Sequence, residues 1–148
     1  MYKHILVATD GSKLSAKAIK TATRLASSLG ARLTGVYVVR EPLAPMYSEA
    51  SGSVPQMSPR KFKEVTEREA RNALSMVETE AQAAGVECST LRLSNNQPHA
   101  GILRAADSKK CDLIVMASHG RRGLSAMLLG SETNKVLTHS SIPVLVCR

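Results

Sequence analysis

Five short apolar segments alternate along the chain with stretches whose apolar residues recur every three or four positions. Most of these segments are continuously apolar, a pattern typical of parallel strands that are buried on both faces of a sheet. The third alternates more than the others and is predicted to lie near a sheet edge. The segments are Ile5–Ala8, Leu33–Val39, Val86–Leu93, Leu113–Ala117 and Pro143–Cys147.

The first helical stretch has signals at both ends. Ser12 is suited to cap its start, and Gly30 is suited to the left-handed residue that follows a helix end. One apolar stripe runs between them, at helical spacing. It consists of Leu14, Ala18, Ala22, Leu25 and Leu29.

Three further helices are predicted. The second follows Ser58, has proline as its first residue and ends before Gly85; the third opens at Gln97, and the short fourth covers residues 131–139. The segment 41–58 contains three prolines and shows no periodicity. We interpret it as a mobile surface excursion and not as an interdomain linker, because the second helix begins directly after it.

Alternating strands and helices require crossover connections, which are right-handed in nearly all known cases. The chain is therefore predicted to form an α/β fold: an open, doubly wound, five-stranded parallel sheet with helices on both faces, in a single domain over residues 1–148. Ligands of such sheets bind beyond the carboxyl ends of the strands, where the strand order reverses. The loops after strands one and four are the places to expect a site.

Charge and composition narrow the class of partner. The net charge of +8 over 148 residues is electrostatically suited to ligands that carry phosphate, but a solvated surface accounts for most of these charges. However, no run of five or more basic residues occurs, and the chain has one Phe and no Trp. A nucleic-acid groove with aromatic stacking platforms is therefore not expected.

The cysteine pattern and the N-terminal residues indicate in which cellular compartment the protein is expected. Cys88, Cys111 and Cys147 are odd in number, far apart and without CxxC spacing, so neither a disulfide framework nor a zinc site is predicted. The apolar stretch near the N-terminus has five residues, too few for a signal peptide or a membrane span. We expect a cytoplasmic protein that does not interact with membranes.

Two segments fall at the predicted carboxyl ends: residues 8–12 after strand one, and residues 117–131 after strand four. Glycines at 120, 123 and 130 let the backbone approach a ligand closely, and Gly130 precedes a helix whose dipole favours phosphate. Ser131 can add a hydroxyl donor. A phosphate-binding loop and an ordinary turn-rich connector both remain open interpretations of these glycines.

The familiar phosphate motifs are missing. There is no GxxxxGKS/T, so the lysine and Mg²⁺ arrangement of a P-loop is absent, and no GxGxxG follows strand one. Arg121 and Arg122 can supply positive charge. His119 is either a phosphate donor or simply an exposed loop residue, and Asp10 either binds a ligand or caps the first helix.

Two stretches, VATDGS near the start and VMASHGRRG…LLGS…SIPVLV near the end, resemble the universal stress protein family over essentially the whole chain. The nucleotide-binding branch of that family is marked by G-x2-G-x9-G-S/T. Here Ala117, Gly120, Gly130 and Ser131 take the motif positions. The resemblance implies a Rossmann-like fold of the adenine nucleotide alpha hydrolase type.

Alanine at position 117 is the departure from that motif. If this position required a positive φ, alanine would cost about 1 kcal/mol. We expect it instead to be extended strand, where one methyl group is harmless, because the apolar run of strand four leads straight into it.

The resemblance also implies roles. Asp10 would reach a ribose hydroxyl or Mg²⁺, Val38 would contact adenine, and the glycines and the start of the fourth helix would hold phosphates. The implied ligand is ATP or another adenine nucleotide, with Mg²⁺. The implied nucleotide-binding residues are Ala8, Thr9, Asp10, Val38, Met116, Ala117, His119, Gly120, Arg121, Arg122, Gly123, Gly130, Ser131, Glu132 and Thr133.

No convincing catalytic set is visible, since Ser118 and His119 are only adjacent in sequence and a triad has to be assembled in space. The leading interpretation is a nucleotide-binding stress-response or signalling module. A slow ATPase or self-phosphorylating protein and a nucleotide-free interaction protein are the alternatives. The resemblance further implies a homodimer through the last strand, Val144–Cys147.

Overall fold

A computed structural model describes residues 1–41, 57–121 and 129–148, and within them strands and helices alternate as predicted. Predicted strand ends are shifted by two residues at most. The strands are β1 His4–Ala8, β2 Arg32–Val39, β3 Cys88–Ser94, β4 Leu113–Ala117 and β5 Val144–Cys147. The helices are α1 Lys13–Leu29, α2 Pro59–Ala83, α3 Pro98–Ser108 and α4 Ser131–His139.

The strands form one five-stranded sheet in the order β3-β2-β1-β4-β5, and all four strand pairs are parallel. This confirms the predicted doubly wound sheet and places β3 at an edge, as its alternating pattern indicated. The strand order reverses between β1 and β4. The last residues of these two strands, Ala8 and Ala117, therefore end at the same edge of the sheet.

Helices cover both faces of the sheet. Alternate residues of each strand face opposite sides, so Ile5 and Val7 pack with α1 and α2, whereas Leu6 and Ala8 pack with α3 and α4. All residues of β1 and β4 are buried, which fits the continuous apolar runs Ile5–Ala8 and Leu113–Ala117, and His4 is the one polar residue of these two strands.

Local signals fix the helix ends. The Ser12 side chain accepts a hydrogen bond from the Ser15 amide at the start of α1, and Gly30 closes that helix with φ 63°. Ser58 caps α2 in the same way. Among the described residues, no helix combines the length and the apolar composition needed to cross a membrane. Most of the predicted surface excursion, residues 42–56, lies outside the described residues.

Candidate functional site at the carboxyl ends of β1 and β4

Asp10 joins the two loops that follow β1 and β4. Its Oδ1 atom accepts a hydrogen bond from the Ser12 amide at 3.0 Å, and its Oδ2 atom accepts one from the Arg121 amide at 2.8 Å. Ser12, not Asp10, is the residue that caps α1. The Asp10 carboxylate therefore holds the backbone of the second loop against the first.

Asp10 is ionised near neutral pH. Burial opposes its charge, but the hydrogen bonds from Ser12 and Arg121 outweigh burial and hold the pKa of the carboxyl below its usual value. A full negative charge thus stands at the edge of the crevice between β1 and β4.

Gly120 lies directly against this carboxylate. A Cβ atom added to Gly120 would stand 2.6 Å from Asp10 Oδ2, a distance that side chains do not adopt. The φ of Gly120 is not in the left-handed region, in contrast to that of Gly11. Close approach, and not backbone conformation, is therefore why position 120 suits glycine.

The start of α4 is bonded to the end of β4. The Gly130 amide donates to the Ser118 carbonyl at 2.7 Å, and Thr133 Oγ1 donates to the Ala117 carbonyl at 3.0 Å. A Cβ atom on Gly130 would lie 3.2 Å from the His119 Cα, so here too the backbones approach closely. Because Gly130 has no side chain to cap α4, the first-turn amides of that helix receive no side-chain hydrogen bond from the capping residue.

Ala117 is the last residue of β4 and pairs with Cys147 of β5. It is buried and its φ is not positive, so the prediction of extended strand is confirmed and its methyl group is accommodated. Met116 and Ala8 belong to the core cluster on the α3 and α4 side of the sheet. Their side chains are core residues next to the site.

The Arg121 side chain is directed toward α2. Its Nη1 atom lies 3.0 Å from Glu69 Oε2. Burial opposes the charge of Arg121, but this pairing outweighs burial and raises its pKa. In this structure the guanidinium is paired with a carboxylate, so a phosphate would have to compete for it. The other two predicted members of this stretch, Arg122 and Gly123, lie outside the described residues.

The Glu132 side chain is directed toward α3 and not toward the crevice. Its Oε2 atom accepts from the His99 amide at 2.8 Å and lies 3.0 Å from His99 Nδ1, while Lys135 and Arg40 approach Oε1 at 3.3 and 3.7 Å. The carboxylate thus links α4 to the first turn of α3. Sequence spacing alone does not predict this contact, because His99 and Glu132 are 33 positions apart in the sequence.

Thr9 and Val38 are likewise engaged within the fold. Thr9 is buried, its Oγ1 atom lies 3.0 Å from Ser15 Oγ, and it accepts from the Gly11 amide at 3.2 Å. The Val38 side chain packs against α3, where a Cβ atom on Gly101 would be 3.0 Å from its methyl carbons. Their backbone atoms, and not these side chains, are what a ligand above β1 and β2 would meet.

The sequence prediction missed Ser15 and Glu69. Gly11 and Ser118 lie within the two predicted segments but are not among the implied nucleotide-binding residues. Ser118 is buried and its Oγ atom lies 3.1 Å from His119 Nδ1. Ser15 and Glu69 contact the predicted residues from α1 and α2, and no local motif marks them. Gly11 had a signal, because glycine directly after an Asp at a strand end suits the positive φ of 78° found there.

Mg²⁺ does not fit the described residues as a resident ion. The residues that the structure describes contain no group of three His, Cys, Asp or Glu side chains that could hold a metal ion, so Asp10 belongs to no such group. The three cysteines are free, and burial raises the pKa of Cys111 to about 11. Burial also raises the pKa of the Cys88 thiol, so neither Cys88 nor Cys111 has the low thiol pKa of a reactive or metal-binding cysteine.

A cavity of about 580 Å³ lies away from the crevice, between the carboxyl ends of α3 and α4. Its lining includes Leu103, Arg104, Lys110, His139 and Ile142. These residues belong to the amino-terminal edge of the sheet, where none of the predicted site residues is found. The candidate site is defined by the backbone geometry at the carboxyl ends of β1 and β4.

Known proteins resemble the chain over its full length. The sequence profile described as "Universal stress protein family" matches residues 1–148. The universal stress protein YxiE of Bacillus subtilis is 35% identical over 150 residues, which cover all of both chains. The universal stress protein MJ0531 of Methanocaldococcus jannaschii is 34% identical over 149 residues, which cover the whole of this chain and 83% of that one.

Solved structures share the fold. A protein of the universal stress protein family from Burkholderia pseudomallei is 29% identical with a TM-score of 0.73, over 98% of this chain and 95% of that one. A universal stress protein in complex with cAMP has a TM-score of 0.68 at 23% identity, over 98% and 95% of the two chains. One from Archaeoglobus fulgidus in complex with dAMP has a TM-score of 0.73 at 19% identity, over 99% and 98%. From the full-length profile match and these relatives, we conclude that the chain belongs to the universal stress protein family.

Proposed function

We propose that this protein binds an adenine nucleotide in the crevice between the carboxyl ends of β1 and β4. The observation that carries the proposal is the junction of β4 with α4. There Gly130 leaves the first turn of the helix without a side-chain cap, at the point where the strand order reverses. Amides at a helix start and its positive dipole end together form a site for an anion such as phosphate.

The proposal gives each part of the nucleotide a place in the site. The first-turn amides of Ser131, Glu132 and Thr133 would face the phosphates, so Glu132 would act through its backbone. The end of β1 and the backbone at Val38 would border the nucleoside, above a floor of Met116 and Ala117. Arg121 would have to leave Glu69 before it could reach a phosphate.

Adenine is the base that the family suggests. Two universal stress proteins of this fold have been crystallised with cAMP and with dAMP, which supports an adenine nucleotide as the ligand class. ATP with Mg²⁺ is the finer proposal. The ion would arrive with the nucleotide and be coordinated mainly by its phosphates, as Mg²⁺ usually is. A role as a stress-response or signalling module in the cytoplasm follows from the family and is part of this proposal.

We also propose a homodimer through β5. This strand is one edge of the sheet, and it carries Leu145 with 38% of its surface exposed. An edge strand with free backbone groups and an apolar side chain invites pairing with another strand, and a second copy of the same chain is the simplest partner.

Calorimetric titration with ATP, with and without Mg²⁺, tests the nucleotide proposal. The wild type should bind, and Gly130→Val should weaken binding at least about tenfold, because its side chain forces α4 away from the His119 backbone. Gly85→Ala is the matched control: it also replaces a glycine, and it too strains the backbone, at φ 66°, but it lies beyond α2 at the amino-terminal edge of the sheet.

Two results would contradict the proposal. One is the absence of wild-type binding up to millimolar ATP. The other is equal binding by the wild type and Gly130→Val, which would move the nucleotide to another part of the molecule. If Gly85→Ala also bound ATP more weakly than the wild type, general destabilisation would account for the loss of binding in Gly130→Val.

A further inference from the structure

We propose that Asp10 is a positioning residue, which acts on the nucleotide site by holding the loop entry, Gly120–Arg121, over the carboxyl end of β1. We further infer that position 120 is glycine in order to make room for the Asp10 carboxylate. This inference rests on the proposed function for its effect on binding. The contact itself can be tested without any ligand.

The fit between Asp10 and the loop entry is close and directional. Oδ2 accepts the Arg121 amide at 2.8 Å, and the same oxygen lies 2.6 Å from where a Gly120 Cβ would stand. Because one carboxylate oxygen makes both approaches, a side chain at position 120 would break the hydrogen bond or displace the loop. The two residues are 110 positions apart in the sequence, so the contact joins the two loops of the site.

The second oxygen of Asp10 is also committed. Oδ1 accepts the Ser12 amide at 3.0 Å, which anchors the carboxylate to the start of α1. Two backbone amides hold the carboxylate in one orientation, and no group of three potential metal ligands among the described residues includes it. The structure thus favours a role for Asp10 in loop placement over a role as an Mg²⁺ ligand.

Arg121 is held a second time through its side chain. The guanidinium passes over Gly11, where an added Cβ atom would stand 3.1 Å from Nη2, and reaches Glu69 of α2 at 3.0 Å. Gly11 therefore leaves room for the arginine much as Gly120 leaves room for the aspartate. The loop entry is fixed between the end of β1 and α2, with its main anchor at Asp10.

A double-mutant cycle tests the contact. Gly120→Ala should decrease the equilibrium constant for folding about tenfold in the wild-type background and much less in Asp10→Ala, where the carboxylate is gone. Urea unfolding of the wild type, both single variants and Asp10→Ala/Gly120→Ala gives the four values. Additive effects of the two substitutions would overturn the proposed fit.

AMP binding in EDTA tests the positioning role. Asp10→Ala should weaken AMP binding at least about tenfold without any metal ion present, and should weaken 2′,3′-dideoxy-AMP binding by the same factor. A loss seen only with Mg²⁺ would make Asp10 a metal ligand. A loss confined to AMP, and absent from the dideoxy ligand, would make it a direct ribose contact. Either of these results would overturn the inference.

The two proposals fail in different ways. If the wild type binds no adenine nucleotide, the proposed function is wrong, and the unfolding cycle still reports whether Asp10 and Gly120 are coupled. If the wild type binds and the cycle is additive, the nucleotide site stands and the positioning role of Asp10 is wrong.

Discussion

His4 is buried at the amino end of β1, on the opposite edge of the sheet from the candidate site. Its Nε2 atom lies 2.8 Å from Thr34 Oγ1, and that hydroxyl lies 2.9 Å from Ser89 Oγ. Burial and the nearby charge of Arg32 lower the pKa of His4, against weaker opposing effects from the Lys109 carbonyl and Asp112. Protonation of His4 is thus unfavourable in the folded protein.

This pKa shift predicts a loss of stability in mild acid. The unfolded chain takes up a proton near the ordinary value of 6.5, whereas folded His4 resists it. More protons are therefore bound in the unfolded state, and the free energy of unfolding falls as the pH drops below 6.5. Above that value the contribution is fully present.

Urea unfolding at pH 7.5 and pH 5.5 measures this effect. His4→Gln should show a smaller difference between the two pH values than the wild type. His139→Gln, which changes an exposed histidine, should behave like the wild type. An unchanged pH dependence in His4→Gln would contradict the assignment to His4.

At the scale of single residues, the sequence predicted where a residue lies in a strand or loop better than it predicted its hydrogen-bond partners. Ala117 was predicted as extended strand from the apolar run before it, and it is. The hydrogen-bonded residues His4, Thr34 and Ser89 lie on β1, β2 and β3, and they meet only when the sheet forms. For the same reason the acceptor role of Asp10 was not predictable, because the Arg121 amide comes from a distant loop.

At the scale of elements, Glu132 ties α4 to α3. The carboxylate accepts the His99 amide in the first turn of α3, and Lys135 and Arg40 are near its other oxygen. Burial opposes the charge of Glu132, but the hydrogen bonds from His99 and Lys135 outweigh burial and lower its pKa. A lowered carboxyl pKa means that this contribution to stability is present above the ordinary value of 4.5 and is lost as the pH falls through the folded pKa.

We therefore expect Glu132→Gln to lower the free energy of unfolding by about 1 kcal/mol at pH 7, because hydrogen bonds to a charged group are stronger than those to an amide. The difference from the wild type should shrink as the pH falls below 4.5 and through the folded pKa of Glu132, because the wild-type carboxyl then gains a proton. Glu64→Gln is the control, since Glu64 makes only an exposed pair with Arg60. A pH-independent difference would contradict the ionic role.

The helices and strands, with their ends, were the part of this structure that the sequence predicted best. Caps at Ser12 and Ser58, the glycine end of α1 and the continuous apolar strands were all read from local patterns, and the structure confirms them. Helix-to-helix contacts such as that of Glu132 with His99 are set by packing. No periodicity in one segment reports which other helix lies beside it.

At the scale of the whole molecule, the two sheet edges differ. Two helices contact each edge strand, but the exposed positions of β3 are polar, whereas β5 is short and its exposed residue is the apolar Leu145. If the proposed dimer forms through β5, Leu145→Lys should shift the protein to monomers, because a charge would be buried in the interface.

Sedimentation velocity at several protein concentrations measures that shift. Met76→Lys is the matched control, since Met76 has a similar exposed fraction of 40% but lies on α2. A wild type that sediments as a monomer at every concentration would contradict the dimer. So would a Leu145→Lys variant that remains dimeric.

The sequence predicted a doubly wound parallel sheet, but not the complete order of its strands. Alternating elements dictated parallel pairing and right-handed crossovers, and the alternating pattern of β3 placed it at an edge. The reversal between β1 and β4 then placed the candidate site. The details of that site depend on contacts between its two loops, and these emerge only when the sheet brings Asp10 and Gly120 together.

Amide chemical-shift mapping of the ¹⁵N-labelled protein during titration with AMP tests the central claim most directly. We expect the largest shifts at residues 9–12, 118–121 and 130–133, around the crevice between β1 and β4, and this result would support the proposed site. Shifts concentrated at the distant cavity instead, around Arg104, Lys110 and His139, would contradict it.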